Sequence, residues 1–167
     1  MKKILFVIAA SFLSAICGAQ QVDFGSIMTN KDGDIHFSEV VQVPNSTAND
    51  LYFNAISWVN DTYNSPKTVI QTNDKELGLI TIKAITNKGS FSYTKFTMTI
   101  QVKDGRYKYD IYDIVIKMSG EYTAGMPDKT YQTLMDEGLD WKASAQKAFG
   151  NIVSTLKKQM SSEVEQW

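Results

Sequence analysis

The stretch "FTMTIQVKDGRYKYDI", Phe96 to Ile111, decides the fold. Before Asp104, apolar residues occupy every second position and polar residues stand between them, which is the period of a β-strand with one buried face. Asp104-Gly105 is a strong signal for a tight hairpin turn. Tyrosines and charged residues then alternate on the return strand. The stretch therefore predicts an antiparallel pair whose first strand turns four side chains toward a core: Phe96, Met98, Ile100 and Val102.

Working outward, the two strands extend over Ser90–Lys103 and Arg106–Met118. In each, the parity of the apolar residues changes along the strand. Phe91 and Tyr93 lie at odd-numbered positions, before the apolar residues at even-numbered positions, so we expect a β-bulge or a bend near Thr94–Lys95. The return strand switches from Tyr107, Tyr109 and Ile111 to Ile114, Ile116 and Met118. Two further strands are predicted upstream, Thr68–Thr72 and Leu77–Thr86, with the turn "NDKE" between them.

Helical periodicity appears in two places. "NSTANDLYFNAISWVNDTY", Asn45 to Tyr63, has Ser46 or Thr47 as N-cap, with Asp50 placed close to a capping box. Tyr131–Met135 suggests one helical turn. From Asp140 onward, a long helix is predicted. The apolar stripe of the first helix is Leu51, Ala55, Trp58 and Val59, and that of the last is Ala145, Ala148, Phe149, Ile152, Val153, Leu156, Met160 and Val164.

A strand over Ile35–Val43, ended by Pro44, completes the pattern. The element order is then β-α-β4-α, which predicts an α+β fold: an antiparallel β-sheet with helices packed on one face. Residues 35–167 form a single domain ending in a long C-terminal helix. Residues 20–34 are expected to be an irregular lead-in.

The first 19 residues have the three regions of a secretory signal peptide. Lys2 and Lys3 form the basic region, and Ile4–Ile16 is an uncharged apolar run too short for a comfortable membrane span. Cleavage after Ala19 is predicted, so the protein is expected to be exported to the periplasm or the cell surface. Lipidation of Cys17 is the less favoured alternative, because Ile16 stands where a lipoprotein signal has a small residue.

Cleavage at Ala19 would remove Cys17, the one cysteine, and with it every disulfide, thiol nucleophile or Cys-based zinc site. Loss of two lysines also changes the balance from 17 basic and 18 acidic residues to 15 and 18. A weakly acidic exported chain does not favour nucleic acid as a partner.

Three segments of the sequence resemble a known protein family. "FSEVVQVPNSTANDLYFNAISWV", "VIQTNDKELGLITIKA" and the hairpin "FTMTIQVKDGRYKYDI" are similar to a domain-of-unknown-function family of secreted bacterial proteins, described as having a TBP-like fold. The resemblance covers about Phe37 to Met118. It implies a β-α-β4-α unit, a signal peptide and an envelope location. It supplies no established activity and no catalytic residues, and a shared fold does not carry function.

Catalytic groups are sparse in this sequence. His36 is the one histidine. Side chains alternate between the two faces of a strand, so His36 is expected on the side opposite to Phe37, in a solvated position. The serines lack a G-x-S-x-G setting. Paired carboxylates remain as the basis for a glycosidase-type hydrolase, which is the weakest hypothesis, and no enzyme is expected. The carboxylates concerned are Glu76, Asp104, Asp110 and Asp113.

A calcium loop is suggested by Asn30, Asp32 and Asp34, which have the 1-3-5 spacing of oxygen ligands. Ile35 stands where the loop needs glycine, and Val41 where it needs glutamate. A polar turn before a strand is therefore favoured. No metal and no cofactor are expected.

The candidate binding face is Arg106, Lys108, Asp110 and Tyr112, which share one side of the return strand. An ordinary mixed-charge solvent face is the simpler interpretation. The functional one is a non-catalytic interaction module that binds an envelope protein or glycan. The alternative is a carrier of a small apolar or lipid-like ligand, held between the sheet and the C-terminal helix. Its expected walls are Phe91, Tyr93, Met118, Met126, Leu134 and Met135.

Overall fold

The computed structural model describes residues 21–31, 34–86, 92–118 and 126–163, which form an α+β domain. In this part of the chain, six strands make one antiparallel sheet in the order β1-β2-β6-β5-β4-β3. The elements in chain order are α1 (Phe24–Ile27), β1 (Met28–Lys31), β2 (Asp34–Gln42), α2 (Ala48–Thr62), α3 (Pro66–Val69), β3 (Ile70–Asp74), β4 (Leu79–Thr86), β5 (Ser92–Lys103), β6 (Arg106–Met118), α4 (Tyr131–Asp136) and α5 (Trp141–Met160).

The predicted hairpin is confirmed. β5 and β6 are antiparallel with Lys103 opposite Arg106, and Asp104-Gly105 is the turn between them. Gly105 has φ of 73°, a backbone conformation that favours glycine. The Asp104 carboxylate accepts a hydrogen bond of 2.7 Å from the amide of Ala48 at the start of α2, so the turn is docked against that helix.

The change of parity predicted in β6 is also confirmed, but the bulge lies in β6 and not in β5. Lys95 pairs with Val115 and Thr97 with Tyr112, so a single β5 residue faces two residues of β6, Asp113 and Ile114. In β5 the even-numbered positions from Thr94 to Val102 are all buried, and the pairing with β4 has no register shift from Thr94 to Gln101. A change of register is a relation between two strands, and the sequence of each strand alone does not say which of them carries the extra residue.

The first predicted helix is α2, and its N-cap is Thr47. The Thr47 hydroxyl accepts from the amide of Asp50, and the Asp50 carboxylate accepts from the amide of Thr47, both at 3.2 Å. This is the reciprocal capping box. The predicted apolar stripe is buried against the sheet. Trp58 of this stripe also contacts α5, where its indole donates to the Thr155 hydroxyl at 3.1 Å.

The C-terminal helix α5 buries its predicted stripe from Ala145 to Met160, while Val164 lies outside the described residues. Phe149 is at the centre of the core. Its ring contacts the rings of Phe24, Phe37, Phe96 and Tyr131. These contacts place α1, α4 and α5 on the same face of the sheet, as α2 is.

The prediction of an irregular lead-in over residues 20–34 was wrong. Residues 24–27 form α1, whose Phe24 is part of the core, and residues 28–31 form β1 at the edge of the sheet. Asn30 pairs with Ile35 and Lys31 with Asp34. Edge strands have a solvated side, so β1 lacks the apolar alternation on which the prediction relied.

The strand predicted at Thr68–Thr72 begins later, at Ile70, and ends at Asp74. Residues 66–69 form a helical turn instead, and proline is favoured in the first turn of a helix. The turn that follows is Lys75–Gly78, so β4 starts at Leu79 and not at Leu77. None of the helices in the described part of the chain is long and apolar enough to cross a bilayer.

Candidate functional site

The outer face of the sheet, which α1, α2, α4 and α5 do not cover, carries all four residues of the candidate binding face. They are the even positions of β6 before its bulge, while the odd positions Tyr107, Tyr109 and Ile111 are buried on the helical side. Pairing with β2 and β5 sets their neighbours. Two cross-strand rows result: Gln42–Arg106–Lys103 and Val40–Lys108–Gln101.

At the hairpin end, this outer face has a shallow depression of about 190 Å³. Its wall includes Lys103, Arg106 and Lys108, which we call the basic end, together with Val40 and Gln101. Val40 is 54% exposed, a high value for a large apolar side chain within a strand. The depression therefore combines cations, an amide and an apolar surface.

The charges of the basic end are only partly neutralised. Lys108 forms an ion pair of 2.9 Å with Asp110. Lys103 and Arg106 stand directly opposite each other, an arrangement that destabilises a strand pair. Within the described residues, neither has a carboxylate within 4.0 Å. An anionic group placed between them would relieve the repulsion.

Tyr112 lies away from the basic end. Six residues of extended strand separate it from Arg106, about 20 Å. Its hydroxyl forms a hydrogen bond of 3.2 Å with Thr99, which bonds to Thr81 at 3.3 Å, and its ring centroid is 5.8 Å from that of His36. The candidate face thus divides into a basic end and a ladder of hydroxyl groups.

Val40 was not among the predicted site residues. It reaches the depression because β2 pairs with β6, although more than sixty positions separate the two strands. The sequence did contain a signal, because Val40 is an apolar residue at an even-numbered position of a strand whose inward residues, Phe37, Val41 and Val43, are at odd-numbered positions. Without the pairing of β2 with β6, that signal could not show which residues surround Val40.

Three of the four carboxylates of the hydrolase hypothesis already contact other groups of the protein. Asp104 caps α2, Asp110 pairs with Lys108, and Asp113 accepts from the Thr97 hydroxyl at 3.0 Å. Glu76 and Asp104 line one surface depression of about 530 Å³ beside the N-terminus of α2. That depression is where a carboxylate pair would have to act, and Asp104 already serves there as a helix cap.

The residues of the suggested calcium loop belong to two paired strands. Asn30 lies in β1, where its amide donates to Gln132, and Asp34 begins β2 opposite Lys31. Asp32 lies outside the described residues. Within the described ranges, no three His, Cys, Asp or Glu side chains are grouped for a metal ion.

The space predicted for an apolar ligand, between the sheet and α5, is filled by side chains. Phe149, Val153 and Leu156 are fully buried there. Of the expected walls, Met126 and Met135 are exposed and Leu134 packs at the border of the core. Phe91 and the Met118 side chain lie outside the described residues.

One polar cluster lies on the helical side of the sheet. The Tyr109 hydroxyl donates to Glu39 at 2.6 Å, and Lys157 of α5 lies 2.8 Å from the same carboxylate. Burial raises the pKa of Tyr109, and its hydrogen bond to Glu39 raises that pKa further. Burial also raises the pKa of Tyr107, whose hydroxyl has no hydrogen-bond partner among the described residues.

Comparison with known proteins identifies the fold. Residues 37–117 match a family model described as "Domain of unknown function (DUF4468) with TBP-like fold". No curated protein matches the chain. A TBP-like protein from Parabacteroides distasonis is similar in structure, with a TM-score of 0.62, 16% identity, and coverage of 80% of this chain and 97% of that one. A DUF4468 family protein from Bacteroides ovatus is similar with a TM-score of 0.61, 13% identity, and coverage of 82% and 92%.

Proposed function

We propose that this protein, whose residues 37–117 match the family of domains of unknown function with a TBP-like fold, is a non-catalytic binding module of the bacterial cell envelope. It binds an acidic partner through the hairpin end of the outer sheet face. The carboxylate that it recognises is carried by an envelope protein or glycan.

The observation that carries this proposal is the basic end. Lys103 and Arg106 are exposed, stand opposite each other and have no carboxylate beside them in the described part of the chain. Like charges in direct cross-strand contact cost stability, so a bound anion gains both direct attraction and relief of repulsion. Gln101 adds an amide that can bond to a carboxylate or a hydroxyl group.

A binding role, rather than a catalytic one, is favoured by the use of the carboxylates. Three of the four candidates already form a helix cap, an ion pair or a side-chain hydrogen bond. A general acid and a nucleophile would have to be available to substrate on either side of one bond.

The envelope location rests on the N-terminal pattern, Lys2 and Lys3 followed by the apolar run Ile4–Ile16 and by Ala19. We expect mass spectrometry of the protein purified from its native envelope to find an N-terminal peptide starting at Gln20. A peptide starting at Cys17 with a lipid mass would contradict cleavage at Ala19, and an uncleaved Met1 peptide would contradict export.

Binding is tested with two polyanions, polygalacturonate for a glycan and polyglutamate for a protein, with neutral dextran as reference. We expect saturable binding to at least one polyanion at low salt, weakening as salt rises, because exposed ion pairs are screened. The double variant Lys103→Gln/Arg106→Gln should bind at least ten-fold more weakly.

The matched control is Lys67→Gln/Lys147→Gln, which removes two positive charges from exposed positions in α3 and α5. It should bind as the unmodified protein does. Equal losses in both double variants would indicate only non-specific charge attraction, and an unaffected Lys103→Gln/Arg106→Gln variant would exclude the basic end.

A further inference from the structure

A second, wider groove lies at the opposite end of β4 and β5, beside the part of β4 beyond Ile82 that β3 does not pair with. Its volume is about 890 Å³, within the usual range for small-ligand sites. The α2–α3 connection forms one wall through Tyr63 and Val69, and the β6 bulge forms the other. The groove and the basic end lie at two ends of the same strands, so they are separate sites.

The floor of the groove has exposed apolar surface. Ile85, Lys95 and Val115 form one cross-strand row over β4, β5 and β6. Ile85 is 52% exposed, Val115 is half-buried, and Val69 adds a further apolar side chain from the wall. Covering these side chains would be favourable, because it removes apolar surface from water.

Two exposed lysines stand in this apolar surface. Lys95 is opposite Ile85 and Lys83 is opposite Thr97, so the lysines are diagonal neighbours on one face, with about 7–8 Å between their positions. Long flexible side chains at that spacing can reach one common anion. In the described residues, neither ammonium group has a carboxylate within 4.0 Å.

The other charged group of the groove is Asp113, which already accepts a hydrogen bond from Thr97. The Lys95 ammonium is 5.9 Å from the ring centroid of Tyr93. The lining therefore carries two positive charges, one negative charge and an exposed apolar row. A purely ionic ligand would leave the apolar row uncovered, and a neutral one would leave the excess positive charge of the groove uncompensated.

We propose that this groove binds a single-chain amphiphile with a carboxylate head group. The head lies between Lys83 and Lys95, and the chain lies along Ile85, Val115 and Val69. Because exposed ion pairs contribute little to affinity and every methylene of a long chain gains from leaving water, most of the affinity comes from the chain. The head group decides which amphiphile is bound.

The first test uses the mature chain, residues 20–167, and dodecanoate below its critical micelle concentration, followed by amide and methyl NMR. We expect saturable shifts centred on Ile85, Lys95 and Val115, no response to acetate, and at least ten-fold weaker binding of dodecyltrimethylammonium. The proposal is overturned if dodecanoate does not saturate, if the cationic amphiphile binds equally well, or if the shifts centre elsewhere.

The second test compares variants that keep the fold, since all the changed side chains are exposed. Lys83→Gln/Lys95→Gln should weaken dodecanoate binding at least ten-fold and leave polyanion binding at the basic end unchanged. Lys103→Gln/Arg106→Gln is the matched control and should bind dodecanoate normally. Equal dodecanoate affinity in all three proteins would overturn the assignment of the head group, whatever the outcome at the basic end.

Discussion

At the scale of single residues, Tyr107 and Tyr109 differ sharply although they are neighbours on the same face of β6. Both are buried on the helical side of the sheet. Tyr109 donates to Glu39, whereas the Tyr107 hydroxyl has no partner among the described residues. Burying a hydroxyl without a partner costs free energy, and a hydrogen bond to a charged group restores it.

We therefore expect the same substitution to have different effects at the two positions. Tyr109→Phe should lower the free energy of unfolding by about 2 kcal/mol, because it removes a hydrogen bond to a carboxylate. Tyr107→Phe should leave it unchanged or raise it by up to about 1 kcal/mol, because it removes an unpaired buried hydroxyl. Urea denaturation monitored by circular dichroism measures both. Equal losses would mean that Tyr107 has a partner such as a buried water.

Glu39 illustrates the limit of residue-scale prediction. It lies on the helical side of β2, between the inward Phe37 and Val41, which is an unfavourable place for a charge. Lys157 of α5 and Tyr109 of β6 supply its partners. The carboxylate of Glu39 is stabilised there because β2, β6 and α5, which are distant in the sequence, meet at this point.

At the scale of elements, β6 is shaped by its bulge. Without the extra residue, Ile114 would lie on the outer face of the sheet, as Tyr112 does. The bulge turns Ile114 to the helical side, where it is buried. Asp113 adopts φ of 51°, a conformation that aspartate and asparagine tolerate better than most residues. Its carboxylate also accepts from Thr97, a buried side chain on β5.

This assignment predicts a difference between two substitutions at Asp113. Asp113→Asn keeps an acceptor and the tolerance of positive φ, so stability should change by less than about 0.5 kcal/mol. Asp113→Ala should cost about 2 kcal/mol, because it leaves the Thr97 hydroxyl unpaired and places alanine in a strained conformation. Chemical denaturation of the two variants measures the difference. A neutral Asp113→Ala would show that neither the hydrogen bond nor the backbone conformation is important.

The connection between α2 and the β5–β6 hairpin is a second feature at this scale. Thr47 and Asp50 cap the helix from within, and Asp104 caps it from the hairpin turn. The Val43 amide donates to Gly105 in the same region. These bonds fix the hairpin tip to the end of β2, which holds the basic end in a defined position.

At the scale of the whole molecule, the sheet has one face covered by helices and one open to solvent. The covered face buries aromatic rings, including several tyrosines. Burial raises the pKa of Tyr63, Tyr107, Tyr109 and Tyr131 above the ordinary value. In the unfolded chain these groups ionise near pH 10, as exposed tyrosines do.

Stability should therefore fall at alkaline pH. A raised pKa in the folded state means that the stabilising contribution is fully present below about pH 10 and is lost as the pH rises above it. Each such tyrosine lowers the free energy of unfolding by about 1.4 kcal/mol per pH unit in that window. Urea midpoints between pH 8 and 11.5 measure the slope, which Tyr107→Phe should reduce. A constant free energy up to pH 11.5 would contradict the burial of these hydroxyl groups.

Local patterns were sufficient where one segment forms its element by itself. The hairpin at Asp104-Gly105, the capping box of Thr47 and the stripe from Ala145 to Met160 were all predicted, because turn chemistry and periodicity depend on neighbouring residues. The edge strand β1 and the position of the bulge were not predicted. Both depend on how two strands pair, and the sequence of one strand alone does not determine that pairing.

By itself, the sequence determined the order of the five main strands and the two long helices, the inward side of those elements, and the family resemblance that the match over residues 37–117 bears out. Tertiary structure alone decided which side chains share a surface. It brought Val40 beside Lys108, Lys157 beside Glu39, and Ile85 and Val115 to either side of Lys95. Periodicity fixes the face on which a side chain lies, whereas long-range strand pairing and helix docking fix its neighbours.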